Sequence, residues 1–254
     1  MRLDAATVLL QWAGGGLAWG WWTLRTREVS AGYARLVRGT FGLVAAGACV
    51  AGLGVGAVPA REAAAAIVAV VALVGAVRPA IPVRADLVAA CVALAGCLAA
   101  VVDALAIGGD AAVGAVVLAM ARVAVGLVFL GLVSDAMLLG HWYLVQPGMP
   151  RRLLDDLVRA LTIVWPLEVA VLVWPTGMVS VLTGAIDDGW GGVLGWFWLA
   201  CALTTGALAF VARAALRERG YAALMAATGL TYLSILTGFG TDLIARALLA
   251  PAAS

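Results

Sequence analysis

This chain of 254 residues has no lysine, a single histidine and few charged side chains of any kind. Its sixteen basic residues are all arginines, and charged residues make up only 12% of the sequence against 65% apolar residues. A soluble domain carries about a quarter charged residues, so the composition excludes one. The net charge of +2 comes without a basic patch, which excludes nucleic acid as a partner. The excess of alanine, valine, leucine, glycine and arginine indicates a GC-rich genome.

Ligands for metals and redox cofactors are equally scarce. His141 is the only histidine, so one chain cannot supply the two histidines that usually ligate a membrane haem. Cys49, Cys91, Cys97 and Cys201 lie within apolar segments and lack the spacing of a metal site. The sequence contains no phosphate-binding glycine loop, nucleophile elbow or zinc-protease motif. We therefore predict no cofactor and no metal, and we expect no enzymatic activity from this chain alone.

Long apolar runs dominate what is present. Apolar segments of this length favour transmembrane helices over the short alternating strands of a membrane barrel. We interpret the first as a membrane helix rather than a secretory signal, because its basic region is one arginine offset by Asp4. The prediction is an all-α integral membrane protein with eight transmembrane helices, at 5–24, 39–58, 60–78, 86–108, 111–144, 156–184, 190–212 and 221–247.

The arginines predict the orientation of these segments. Twelve of them fall in the loops after segments one, three, five and seven, three fall on the opposite side, and Arg122 lies inside segment five. Basic residues are enriched in cytoplasmic loops, so both termini are expected on the non-cytoplasmic side. We expect the protein in the inner membrane of a bacterium, with the lipid bilayer as its main partner.

Two phrases occur twice, about 120 residues apart. The residues 20–24 read GWWTL and the residues 140–144 read GHWYL, and each is followed by a Leu-Val-Arg triplet, at 36–38 and at 157–159. The pattern predicts a tandem repeat of two four-helix halves, 1–109 and 110–254, facing the same way. The alternative is that glycine, tryptophan, leucine and arginine recur at helix ends because the membrane interface selects them.

Ionisable side chains at membrane depth are the candidate site residues. Arg122 and Asp135 lie inside segment five, and Glu168 lies inside segment six. Such groups usually face a cavity or a partner, because exposure to lipid is costly. We predict that Asp135 and Glu168 approach one another and bind a proton or a cation, and that Arg122 contacts an anion or substrate. In the structural alternative, Arg122 pairs with Asp103 or Asp242, and each carboxylate is satisfied separately.

Segment six also contains Pro166 and Pro175, and Gly177 follows them. A proline removes one backbone donor and frees the carbonyl four residues earlier, which membranes tolerate only inside protein or beside water. We therefore add Pro166 to the candidate substrate-binding or ion-binding residues, as the marker of an interrupted helix. The alternative is an ordinary proline in a membrane helix.

Two classes of function remain. The first is a transporter of a small solute, coupled to an ion such as the proton, with its site between segments five and six. The second is a non-catalytic helical subunit of a larger membrane assembly, such as an energy-transducing complex. Possible protein partners are therefore other membrane subunits or further copies of this chain.

Overall fold

The computed structural model describes residues 4–78, 80–108 and 112–249, and within them the protein is helical without strands. The helices follow one another as α1 (Ala5–Leu24), α2 (Ala31–Val55), α3 (Pro59–Val77), α4 (Arg84–Gly108), α5 (Val113–Val145), α6 (Arg152–Val173), the short α7 (Gly177–Leu182), α8 (Val193–Ala215) and α9 (Tyr221–Leu249). The prediction of an all-α fold is confirmed for this part of the chain.

Six helices, α2, α3, α4, α5, α8 and α9, are long and apolar enough to cross a membrane. The protein is therefore a polytopic membrane protein. The helices α1 and α6 are not apolar enough to be counted with these six. Helix α1 carries Gln11 and four tryptophans, and α6 carries five charged side chains, which lowers the hydropathy of each.

Helix α1 lies in the interior of the protein. It packs against α2, α4 and α5, and most of its residues, including Gln11, are buried. A helix surrounded by protein needs no apolar surface toward lipid, so a glutamine and a run of glycines are compatible with its position. Asp4 begins this helix by accepting a hydrogen bond from the Thr7 backbone N–H at 2.8 Å.

The long helices form two rings. The helices α1, α2, α3 and α4 each contact the next and close through α1 and α4, while α5, α6, α8 and α9 do the same and close through α5 and α9. The rings meet where α1 crosses α5. A Cβ at Gly15 would lie 1.9 Å from the Leu127 carbonyl oxygen, and one at Gly131 would lie 2.0 Å from the Gly15 carbonyl carbon. Only glycine allows two backbones to approach so closely.

The loops rich in arginine meet at one end of the bundle, which we call the arginine-rich end. The Ser30 backbone N–H, just before α2, donates to Gln146 after α5 at 2.9 Å. Arg152, at the start of α6, forms an ion pair with Glu28. Arg151 donates to the Glu218 carbonyl after α8 at 2.6 Å, so these three loops lie together.

Two helix starts differ from the predicted segments. Helix α2 begins at Ala31 and α6 at Arg152, whereas the apolar runs begin at 39 and 156. Both helices extend past the apolar run because their first turns pack on protein. Arg38, which the sequence places in a loop, is buried in α2 and forms an ion pair with Asp86 of α4 at 2.8 Å. It also donates to the Gly75 carbonyl at the end of α3.

Candidate functional site

The interruption of the sixth segment lies at Pro175 and not at Pro166. Helix α6 continues through Pro166, whose side chain is exposed on the outside of the helix. The helix ends at Val173, and a cis Trp174–Pro175 peptide follows before α7 begins at Gly177. The Val171 carbonyl would normally accept a hydrogen bond from residue 175, but proline has no N–H.

Arg122 of α5 satisfies the carbonyls at this break. Its Nε donates to the Val171 carbonyl and its Nη2 donates to the Trp174 carbonyl, each at 2.8 Å. The side chain is 9% exposed. Its third nitrogen, Nη1, donates no hydrogen bond to any described residue. Gly177 leaves room for the guanidinium, because a Cβ there would lie 3.2 Å from Nη2 and 2.0 Å from the Leu172 carbonyl oxygen.

The guanidinium lines a cavity of about 670 Å³ at the end of the bundle opposite the arginine-rich end. A volume of this size suits a small-molecule ligand. The walls come from α5, the break after α6, α7, the loop before α8 and the end of α9. They comprise Leu118, Arg122, Pro175, Thr176, Gly177, Ser180, Ile186, Asp187, Asp188, Gly189, Ala247, Leu248 and Leu249.

The two aspartates of the cavity wall hold the loop in place. Asp188 accepts hydrogen bonds from the backbone N–H groups of Trp190, Gly192, Leu194 and Gly195, at 2.8–3.3 Å. These donors, with that of Gly192 foremost, hold the pKa of Asp188 below its usual range. Asp187 accepts from the Gly189 N–H at 2.9 Å. Much of the hydrogen-bonding capacity of both carboxylates is therefore used within the loop.

A second group of charged side chains is buried between α1, α6 and α9. Asp242 forms an ion pair with Arg246, one turn later in α9, at 2.6 Å. Arg246 also donates to the Gln11 side chain of α1. Glu168 of α6 completes the group, and none of the four side chains is more than 1% exposed. Gly126 makes room for them, because a Cβ there would lie 2.4 Å from Gln11 Nε2 and 2.9 Å from Asp242 Oδ1.

Glu168 differs from every other buried carboxylate in the described part of the chain. Neither of its oxygens accepts a hydrogen bond from a described donor. The charged groups that act on it are Asp242, Arg246 and Arg122. A carboxylate buried beside another carboxylate, without donors of its own, is favoured as the neutral acid. Protonated, Glu168 can donate to Asp242, so the two carboxyl groups can share one proton.

Asp135 lies elsewhere, so the predicted pair with Glu168 is not formed. The carboxylate accepts hydrogen bonds from the hydroxyls of Thr23 and Tyr33, each at 2.7 Å, and is fully buried. It follows Arg122 by thirteen residues in α5, which is about 20 Å along the axis. Glu168 lies with Asp242 near Gly126, which is closer to Arg122 than to Asp135 along α5. Asp135 is satisfied separately, as the structural alternative expects, whereas Glu168 receives no hydrogen bond from a described donor.

The predicted partners of Arg122 are not its partners either. Asp242 pairs with Arg246, Asp103 is half-buried in α4, and neither forms an ion pair with Arg122. Gln11 and Arg246 were not predicted as members of a site. Their signals were present in the sequence, as a glutamine within an apolar helix and as an acid–base pair at i and i+4.

The described residues contain no group of three or more histidine, cysteine, aspartate or glutamate side chains that could hold a metal ion. No family model, curated protein or solved structure matches this chain.

Proposed function

We propose that this protein is a proton-coupled transporter of a small solute. The carboxyl of Glu168 carries the proposal, because it is fully buried, accepts no hydrogen bond from a described residue on either oxygen and interacts with Asp242. It lies three residues before Val171, whose carbonyl binds Arg122 at the wall of the cavity. Three residues of helix rise about 5 Å, so a change of charge at Glu168 changes the electrostatic potential at the cavity wall.

The coupling ion in this proposal is the proton. A metal cation bound between Glu168 and Asp242 would meet the positive charges of Arg246 and Arg122. It would also need several oxygen ligands, whereas both Asp242 oxygens already accept hydrogen bonds from Arg246, at 2.6 and 3.1 Å. A proton needs only the two carboxyl groups.

The transporter is proposed to have eight spans, with α1 and α6 added to the six apolar helices. Both helices lie within the rings of long helices, so their polar residues can face protein. The arginine-rich end is proposed to face the cytoplasm of a bacterium, since basic loops are retained there. Both termini and the cavity then face away from the cytoplasm.

We also keep the division into halves, 1–109 and 110–254, as part of the proposal. It is supported by the two rings of helices. The contacts of Gly15 with Leu127 and Gly131, and of Thr23 with Asp135, make α1 and α5 run in the same direction. Two halves that face the same way need first helices that are parallel.

The test uses proteoliposomes that contain a pH-sensitive dye and the purified full-length protein. A panel of small solutes is added outside, and an internal pH change that needs the protein identifies a coupled solute. Glu168→Gln should abolish the pH change, because an amide cannot take up the proton. Asp135→Asn is the matched control, since Asp135 is a buried acid that lies about 20 Å from Arg122 along α5, and it should retain the pH change.

A pH response of Glu168→Gln equal to that of the unaltered protein would contradict the proposal. So would purification of the chain in a stoichiometric complex with other membrane subunits and no solute response. That second result would favour the alternative, a non-catalytic subunit of a larger membrane assembly.

A further inference from the structure

Four arginines are buried in the described part of the chain, and three of them have a carboxylate partner. The pairs are Arg38 with Asp86 at 2.8 Å, Arg61 with Asp4 and Glu62 at 2.6 Å, and Arg246 with Asp242 at 2.6 Å. Arg122 has no described carboxylate within 4.0 Å and is held by two carbonyls. A buried cation without a counter-ion is costly, so an anion from outside the chain would stabilise it.

The place for such an anion is the cavity beside Arg122. The guanidinium lines the cavity and retains Nη1 as an unused donor. The hydroxyl-bearing residues Thr176 and Ser180 line the same space. No hydrogen bond occupies either hydroxyl as a donor in the described structure, so both are available to a ligand oxygen.

The charge of the cavity selects the anion. Arg122 supplies one positive charge, and Asp187 and Asp188 supply two negative charges at the wall. In a ligand with two negative charges, such as phosphate, the second charge would have no positive partner in the cavity wall and would be repelled by the aspartates. A single negative charge can pair with Arg122 while the rest of the molecule contacts Leu118, Ile186 and other apolar side chains of the wall.

We propose that the cavity binds a small organic monocarboxylate, with the carboxylate on Arg122 and an apolar tail against the cavity wall. The inference rests on the proposed function, since it names the solute class of the same site. It also gives Glu168 a role toward the ligand. When Glu168 is ionised, its negative charge interacts with Arg122 and opposes the binding of an anion there. Protonation of Glu168 removes this opposing charge. Proton and carboxylate would then bind together.

The test is calorimetric titration of the full-length protein in mild detergent at pH 7 with sodium butyrate. Sodium chloride, inorganic phosphate and a short-chain phosphatidylglycerol are titrated in parallel. Saturable binding of butyrate is expected, and Arg122→Gln should weaken it about 10- to 100-fold, the loss expected for a hydrogen bond to a charged group. Arg217→Gln, which removes an exposed arginine at the other end of the bundle, should leave it unchanged.

Arg122 also holds the end of α6, so a second variant tests the cavity with the arginine in place. Leu118→Trp fills part of the cavity and should weaken butyrate binding without removing a charge. Butyrate binding that is absent, or equal in both variants and the unaltered protein, would overturn the proposal. Binding of phosphatidylglycerol but not butyrate would overturn it too, in favour of a lipid headgroup.

The two proposals fail separately. Glu168→Gln should keep or strengthen butyrate binding in detergent, because the arginine loses a competing negative charge. Butyrate binding without proton movement in proteoliposomes would refute coupled transport and leave the carboxylate site standing. Proton-coupled movement of another solute, with no butyrate binding, would refute the carboxylate site alone.

Discussion

The two acids of the buried charged group should contribute differently to the stability of the protein. The group consists of Glu168, Asp242, Arg246 and Gln11. Asp242 and Arg246 form a buried ion pair at 2.6 Å, whereas Glu168 receives no donor from a described residue. We expect Glu168→Gln to change the free energy of unfolding by less than about 0.5 kcal/mol, or to raise it. The amide is neutral, as the protonated acid is, and the substitution loses no hydrogen bond from a described donor.

The opposite result is expected for Asp242→Asn. Removing one member of a buried ion pair costs about 3–5 kcal/mol, because the remaining charge is left uncompensated. Glu168 also acts on Arg246 and can serve as its second counter-ion, so we expect a loss at the lower end, about 3 kcal/mol. The double variant then removes both acids. Its loss should exceed the sum of the two single losses by about 1–2 kcal/mol.

The assay is reversible unfolding of the purified protein in mixed micelles, followed by helix content. Asp156→Asn is the matched control, because this acid is exposed on the first turns of α6 and should change stability by less than about 0.5 kcal/mol. A loss of 2 kcal/mol or more in Glu168→Gln, on the scale of a broken buried pair, would refute the reasoning. It would make Glu168 a structural member of the ion pair. Additive effects in the double variant would refute its role as second counter-ion.

Three further predictions concern other parts of the protein. In the same unfolding assay, Gly15→Ala should destabilise the protein by about 1–3 kcal/mol, because the new Cβ would lie 1.9 Å from the Leu127 carbonyl oxygen. The control Gly54→Ala should be neutral or stabilising, because a Cβ there would meet nothing within 4 Å. Asp188→Asn should lower the melting temperature at pH 7. The difference should shrink as the pH falls through the folded pKa of Asp188, because a lowered pKa gives stability above the unfolded value of about 3.9 that protonation removes. Asp135→Asn should destabilise by about 1–3 kcal/mol, since its two hydroxyl donors lose a charged acceptor, and an unchanged melting temperature would contradict this.

The class of fold follows from the sequence because membrane helices must bury their backbone polar groups within one segment. Seven of the eight predicted segments each overlap one long helix of the structure, and the sixth overlaps most of α6 and all of the short α7. Helix starts were less predictable. The helices that begin at Ala31 and Arg152 have arginine or aspartate in their first turns, so the apolar pattern does not include those turns. They are helical because they pack on protein at the arginine-rich end.

The site was harder to predict, since depth along a helix says nothing of direction around it. Asp135 and Glu168 were placed at similar depths by counting from the predicted ends of their segments. Helix α6 begins four residues earlier than its apolar run, so Glu168 lies about 24 Å from its start. Asp135 points toward α1 and α2, where Thr23 and Tyr33 bind it. Only the packing of the rings decides these directions.

Arg122 shows why a residue can be structural and functional at once. Its hydrogen bond to the Val171 carbonyl replaces the donor that Pro175 lacks, and a second one holds the Trp174 carbonyl just after the helix, so the end of α6 depends on it. The two carbonyls accept hydrogen bonds from the guanidinium but carry no net charge. Arg122 therefore has no ion-pair partner among the described residues, although it lines the cavity. The two aspartates of the wall, Asp187 and Asp188, accept hydrogen bonds from their own loop and form no ion pair with Arg122. Among the buried arginines that the structure describes, each of the others has a carboxylate beside it, and the exception is the one that lines the cavity.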